Sequence, residues 1–142
     1  GDVYKRQVLL LERSMRGRPR THSWKNKFGY ALRGLRRAFR TQTSFAVHLV
    51  IACVAVAAAA VFRVTAFEWV LLVAAIGMVL VAETFNTAIE SLARAVDTQF
   101  HPRLRDALDI ASAAVLLAAV TAAVIGMCIF IPALYRFFHR IL

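Results

Sequence analysis

The chain has 142 residues, 60% of them hydrophobic, with a mean hydropathy of +0.62, a formal net charge of +10 and a pI near 11. The composition and hydropathy lie outside the soluble globular range and, with this length, describe one small membrane domain, with no second domain expected. The charge alone would suit a nucleic-acid binder, but its crowding next to apolar residues before the first long hydrophobic run argues against a nucleic-acid partner.

Residues 1–23 read as a basic N-terminal tail, and residues 24–142 as the membrane domain. The opening GDVYKRQ, residues 1–7, resembles a translated sequencing-adapter remnant and is set aside, and no signal-peptide pattern is expected there. After the tail, Trp24, Phe28, Ala31, Leu32, Leu35, Ala38 and Phe39 recur at helical spacing among basic residues. That is the pattern of an N-terminal amphipathic surface helix lying on an anionic leaflet.

Three apolar stretches follow. Residues 45–62 are interrupted only by His48; the second stretch runs from Phe67 into a polar segment; residues 110–134 carry no charge. Each suits a hydrocarbon core that takes about 20 helical residues, the second with its polar end at the interface. The fold class is therefore an all-α membrane protein, a surface helix plus three transmembrane helices. Most lysines and arginines precede Phe45, against the acids Asp2 and Glu12. By the positive-inside rule the N-terminus is cytoplasmic, the loop from Arg94 to Asp109 returns to that side, and Arg136 and Arg140 lie outside. Cys53 and Cys128 fall within apolar spans, where packing is their expected role.

The informative segment is residues 79–97, VLVAETFNTAIESLARAVD. Glu83, Asn86 and Glu90 stand at i, i+3 and i+7, on one helical face, with the two carboxylates roughly 10 Å apart along the axis. An ionisable side chain within a membrane span costs on the order of a few kcal/mol, so it points to function. There is no G-x-x-x-x-G-K-[ST] loop, no G-x-S-x-G elbow and no H-E-x-x-H pair. Carboxylates, an amide and cations at a membrane surface suit phosphoryl transfer: one carboxylate to accept a hydroxyl proton, another to hold magnesium. The same groups would serve a cation path, or simply hold helices together by hydrogen bonds.

ETFNTAIE at residues 83–90, followed by DIASAAVL at residues 109–116, closely resembles the signature of the small prokaryotic integral-membrane lipid kinases, the diacylglycerol kinase and undecaprenol kinase family. The resemblance runs over residues 28–132 and includes GYALRGLRRAF, the loop His101-Pro102 and GMCIFIP, the last two leaning toward the undecaprenol branch. It implies a homotrimer in the bacterial inner (plasma) membrane with composite sites near the cytoplasmic face, a membrane lipid substrate, ATP as phosphate donor and Mg2+ as cofactor. Glu83 is then the catalytic base, Asn86 orients the nucleotide phosphates, Glu90 holds the metal, and Tyr30 and Asp109 contact the nucleotide.

Three departures from the family pattern qualify this. Gln42 stands where the family has a second metal-binding glutamate, Leu108 where it has a phosphate-binding lysine, and Arg94 where it has an acid, with Asp97 three positions on. An amide oxygen ligates magnesium without adding charge, so metal affinity is expected to fall. The sequence thus reads as an ATP-dependent lipid kinase, with a catalytically weak lipid- or nucleotide-binding module as the second reading and a cation-conducting oligomer as the third.

Overall fold

The computed structural model describes residues 23–96 and 101–139. The tail, residues 1–22, Asp97 and Arg140 lie outside the described residues. Two compact units divide the chain, Gly1–Gly34 and Leu35–Leu142. Four helices make up the described part: α1 (Trp24–Thr41), α2 (Thr43–Val61), α3 (Ala66–Val96) and α4 (Pro102–Phe138). Three of them, α2, α3 and α4, are long and apolar enough to cross a membrane.

Helix α1 begins at Ser23, whose carbonyl accepts from the backbone N–H groups of Asn26 and Lys27. Trp24, Phe28, Leu32, Leu35 and Phe39 follow one another at steps of three and four along it, and all are exposed. Their spacing puts them on one face. Within the first unit, the Lys27 ammonium sits 4.5 Å from the Trp24 ring and the Arg33 guanidinium 4.8 Å from the Tyr30 ring.

A single residue separates α1 from α2. Gln42 has an extended backbone (φ −123°, ψ 115°) and makes no side-chain cap to α2. Its amide is therefore free to reach another helix. Just beyond, Phe45 is buried and meets Phe39 edge to face at 6.4 Å.

The turn from α2 to α3 is closed by two capping motifs in succession. The Val64 N–H reaches the Ala59 carbonyl at 3.2 Å and the Arg63 N–H the Ala60 carbonyl at 3.3 Å, the paired bonds of a Schellman ending. Arg63 takes the left-handed position that this ending requires, with φ 51°. Thr65 then caps α3: its backbone N–H donates to Glu68 Oε2 at 2.7 Å and the Glu68 N–H returns to Thr65 Oγ1 at 3.3 Å, a capping box. Arg136, in the last turn of α4, donates to both Glu68 oxygens at 2.9 and 3.0 Å. Beneath this end lie Ala59, Val64, Leu72, Ile129 and Ala133, with Phe62 set edge-on to Phe130 and Phe137.

Along the rest of the bundle the buried positions are mostly small, among them Ala52, Ala75, Ala111 and Ala118, while Val54, Val70, Leu116 and Ile131 are exposed. Small residues between helices and large apolar ones outward are what packing in lipid favours, since lipid offers no penalty to exposed Leu or Val. Helix α3 has 31 residues and so is about 46 Å long, more than the roughly 30 Å hydrocarbon thickness. Glu83 stands about 25 Å from its start, at the far edge of such a layer, and Glu90 about 10 Å further.

One expectation shifts. The stretch from Arg94 to Asp109 is mostly helical, because α3 continues to Val96 and α4 starts at Pro102. Pro102 sits in the first turn, where a missing N–H costs nothing, and Arg105 pairs with Asp109 one turn on at 3.9 Å.

Arg63→Gly should stabilise the protein. It removes the left-handed strain of a side-chain-bearing residue, about 1 kcal/mol less what glycine adds to unfolded-chain entropy. Thermal unfolding in detergent micelles should show a raised midpoint; a lowered one would mean that the Arg63 side chain is needed at this turn.

Candidate functional site

Two polar clusters occupy the face of α3 that begins at Glu83. The first is Glu83 itself, 2% exposed, among the most buried side chains described. Its partners come from α2: Ser44 Oγ donates to Oε2 at 3.4 Å, and His48 Nε2 lies 3.3 Å from Oε1. Ser44 and His48 are four apart, so one face of α2 presents both to the carboxylate.

The second cluster is built on Glu90, two turns along α3. Asn86 Nδ2 donates to Glu90 Oε1 at 2.8 Å, and the Gln42 amide donates to Oε2 across the gap from the α1–α2 break. Arg94 approaches Oε2 at 3.5 Å from one turn further on. The extended backbone of Gln42 matters here, since a helical residue at this junction would direct its side chain elsewhere. Asn86 and Thr87 are buried, and Asn86 Oδ1 and Thr87 Oγ1 have no hydrogen-bond partner. An unmet buried acceptor costs about 1–3 kcal/mol. That of Asn86 adjoins Glu90, where a ligand would satisfy it.

The structure thus brings together Asn86, Glu90 and Gln42, the last in direct contact with Glu90, and gives Glu83 a separate set of partners, Ser44 and His48. Asp109 is three-quarters exposed and faces Arg105. Tyr30 is half-buried in the first unit. Ser44, His48 and Thr87 were not among the residues marked by the sequence. His48 had a signal, as the one interruption of an apolar span; Ser44 and Thr87 had none, being unremarkable in transmembrane helices.

Magnesium takes oxygen ligands and usually one or two protein carboxylates, the rest being water and substrate phosphate. Among the described residues no group of three or more His, Cys, Asp and Glu is placed to hold a metal. One carboxylate with two amide side chains, one of them with an unpartnered buried oxygen, fits an ion that arrives with phosphates rather than one caged by protein alone.

Three helices long and apolar enough to cross a membrane, one of them carrying an acidic, amide-lined face, define a small integral-membrane helical bundle. Comparison with known proteins gives the family. A profile described as Prokaryotic diacylglycerol kinase matches residues 29–130, and the chain belongs to that family of membrane lipid kinases. It is 33% identical over 107 residues to an undecaprenol kinase of Bacillus subtilis, covering 75% of this chain and 87% of that one. It is 36% identical over 101 residues to a diacylglycerol kinase of Escherichia coli K12, covering 71% and 82%. A diacylglycerol kinase of Synechocystis is 34% identical over 108 residues, which span 75% of this chain but 62% of the relative.

Thr87→Val, an isosteric removal of the unpartnered hydroxyl, should raise stability by about 1 kcal/mol. Chemical or thermal unfolding in micelles checks this. A loss of similar size would show that the hydroxyl has a partner in the membrane assembly.

Proposed function

We propose that the protein transfers the γ-phosphate of ATP to the hydroxyl of a membrane lipid at the cytoplasmic face. The observation that carries this is the buried Glu83 carboxylate, held by two residues of α2 and adjoining the oxygen-rich cluster at Glu90. Membership of a lipid kinase family and the names of its relatives support the reaction class.

In this reading Glu83 accepts the acceptor hydroxyl's proton as its oxygen attacks the γ-phosphorus and the bond to ADP breaks. Ser44 and His48 hold the carboxylate in one orientation, so little reorganisation is needed during the transfer. Glu90, the Asn86 oxygen and the Gln42 side chain would hold Mg2+, which would supply charge neutralisation on the nucleotide phosphates. Asn86 also orients those phosphates, while Tyr30 and Asp109 contact the nucleotide. Arg94 supplies positive charge beside the cluster. The basic residues and exposed apolar face of α1 support a helix lying on the anionic leaflet, and the arginine asymmetry supports an N-terminus in the cytoplasm at a bacterial inner membrane. Large exposed apolar surfaces on α2 to α4 are consistent with a homotrimer whose sites form at subunit boundaries. Undecaprenol is the favoured acceptor on the loop His101-Pro102 and the terminal IFIP, with diacylglycerol the other candidate.

A second reading rests on one feature of the same cluster. Gln42 and Arg94 both stand on the Glu90 carboxylate, so this metal position carries one negative ligand and a competing cation. A nucleotide- or lipid-binding module with weak turnover would look the same.

Incubation of purified protein with radiolabelled ATP and either lipid in mixed micelles separates the two. Glu83→Gln should assemble normally and lower turnover at least about a hundredfold. Parent-like labelling by the variant would remove Glu83 from the role of base. Gln42→Glu should lower the magnesium concentration needed for half-maximal rate and raise the rate, because a charged oxygen ligand replaces a neutral one. No change, or a loss at every magnesium concentration, would place Gln42 away from the metal.

A further inference from the structure

A general base inside a membrane protein has a second task besides taking a proton, which is losing it before the next turnover. Glu83 is poorly placed to do so alone, since it is 2% exposed. Of its two side-chain partners, Ser44 is a hydroxyl at 3.4 Å and His48 an imidazole whose Nε2 is 3.3 Å away. The His48 side chain is 23% exposed, about ten times more than the carboxylate it touches. Imidazole can take a proton at one ring nitrogen and release one from the other, which suits it to carrying a proton.

We propose that His48 is the exit for the proton that Glu83 takes from the lipid hydroxyl. The idea rests on Glu83 being the base of the proposed kinase reaction. After transfer the ring, in the neutral tautomer that leaves Nε2 bare, takes the Glu83 proton at Nε2, leaving a carboxylate beside an imidazolium. The imidazolium then gives its Nδ1 proton to water or buffer, and the Nε2–H that remains donates to the restored carboxylate until the ring exchanges tautomer through water. One proton enters solution for each lipid phosphorylated, and Glu83 is restored.

The surroundings favour this route over others. His48 also lines a groove of about 320 Å³ between α2, α3 and α4, whose other walls include Ile51, Leu72, Val79, Ala122 and Phe130, all apolar. A proton has no carrier on that side. The stretch of α4 from Ile110 to Leu134 brings no charged side chain, and its one titratable residue, Cys128, is exposed. On α3 the next charged residue after Glu83 is Glu90, already engaged by Gln42, Asn86 and Arg94. On α2 itself His48 is the sole titratable group besides Cys53. From α1, the second unit includes Arg36, Arg37 and Arg40, none of which relays protons near neutral pH.

His48 acts through Glu83 and is thus a positioning residue, so its test must separate proton carriage from mere orientation. His48→Gln keeps an amide donor for the carboxylate but cannot carry a proton. His48→Ala leaves space for a free imidazole. The expected result is that His48→Gln lowers turnover at least about tenfold with KM for ATP and lipid changed less than about twofold. His48→Ala should lose as much and recover severalfold on addition of imidazole, with the rates restored by substituted imidazoles rising with their basicity. His48→Gln with turnover within about twofold of the parent, or a His48→Ala loss that no imidazole reverses, overturns the proposal. Glu83→Gln, measured alongside, distinguishes the failures: if it is inactive while His48 variants are normal, the base stands and the exit does not; if it is active, both fall.

Discussion

The rest of the site depends on how a carboxylate can be buried at the edge of an apolar bundle. Removing a charge from water costs several kcal/mol unless hydrogen-bond donors are already in place. Glu83 is supplied with two, Ser44 and His48, both from the facing helix. Their presence fixes where α2 and α3 meet, since a rotation of either helix by one residue, about 100°, would take the donors off the carboxylate.

The opposite end of the bundle has the complementary job. Glu68 caps its own helix through Thr65 and receives Arg136 from the end of α4, so one acidic residue joins a helix start, a turn and a helix end. The apolar cluster around Ile129 and Ala133 lies beneath it. This end is tied by capping and aromatic packing, whereas at the polar end Asn86 and Thr87 keep unpartnered oxygens. Unpartnered buried polar atoms are rare in folded proteins, and here they adjoin the polar face.

Much of this was legible in the sequence. Three apolar runs gave the three long helices, the first two beginning within two residues of where they are found, because membrane length and hydropathy leave few alternatives. The shared face of Glu83, Asn86 and Glu90 followed from helical periodicity alone. The approach of Gln42 to Glu90, 48 residues apart, did not; it came from likeness to a family, and its physical basis, the extended backbone at a one-residue break, is visible only in three dimensions. The roles of Ser44 and His48 were hidden for the same reason. Helical extension through residues 102–109 is not legible from hydropathy because charged residues precede the apolar run there, whereas Pro102 and the Arg105 to Asp109 pair support a helix ahead of it.

The α3 face is joined to α2 and to the break before it through polar contacts and not by apolar packing alone. A double-mutant cycle in micelles, using Gln42→Ala, Glu90→Ala and the double variant, measures the joining contact directly through unfolding free energies. A contacting pair should show a coupling of about 0.5–3 kcal/mol, with the double variant losing less than the sum of the singles. Additivity to within about 0.3 kcal/mol would mean that Gln42 and Glu90 act independently, and that the acidic face of α3 is not held by the break before α2.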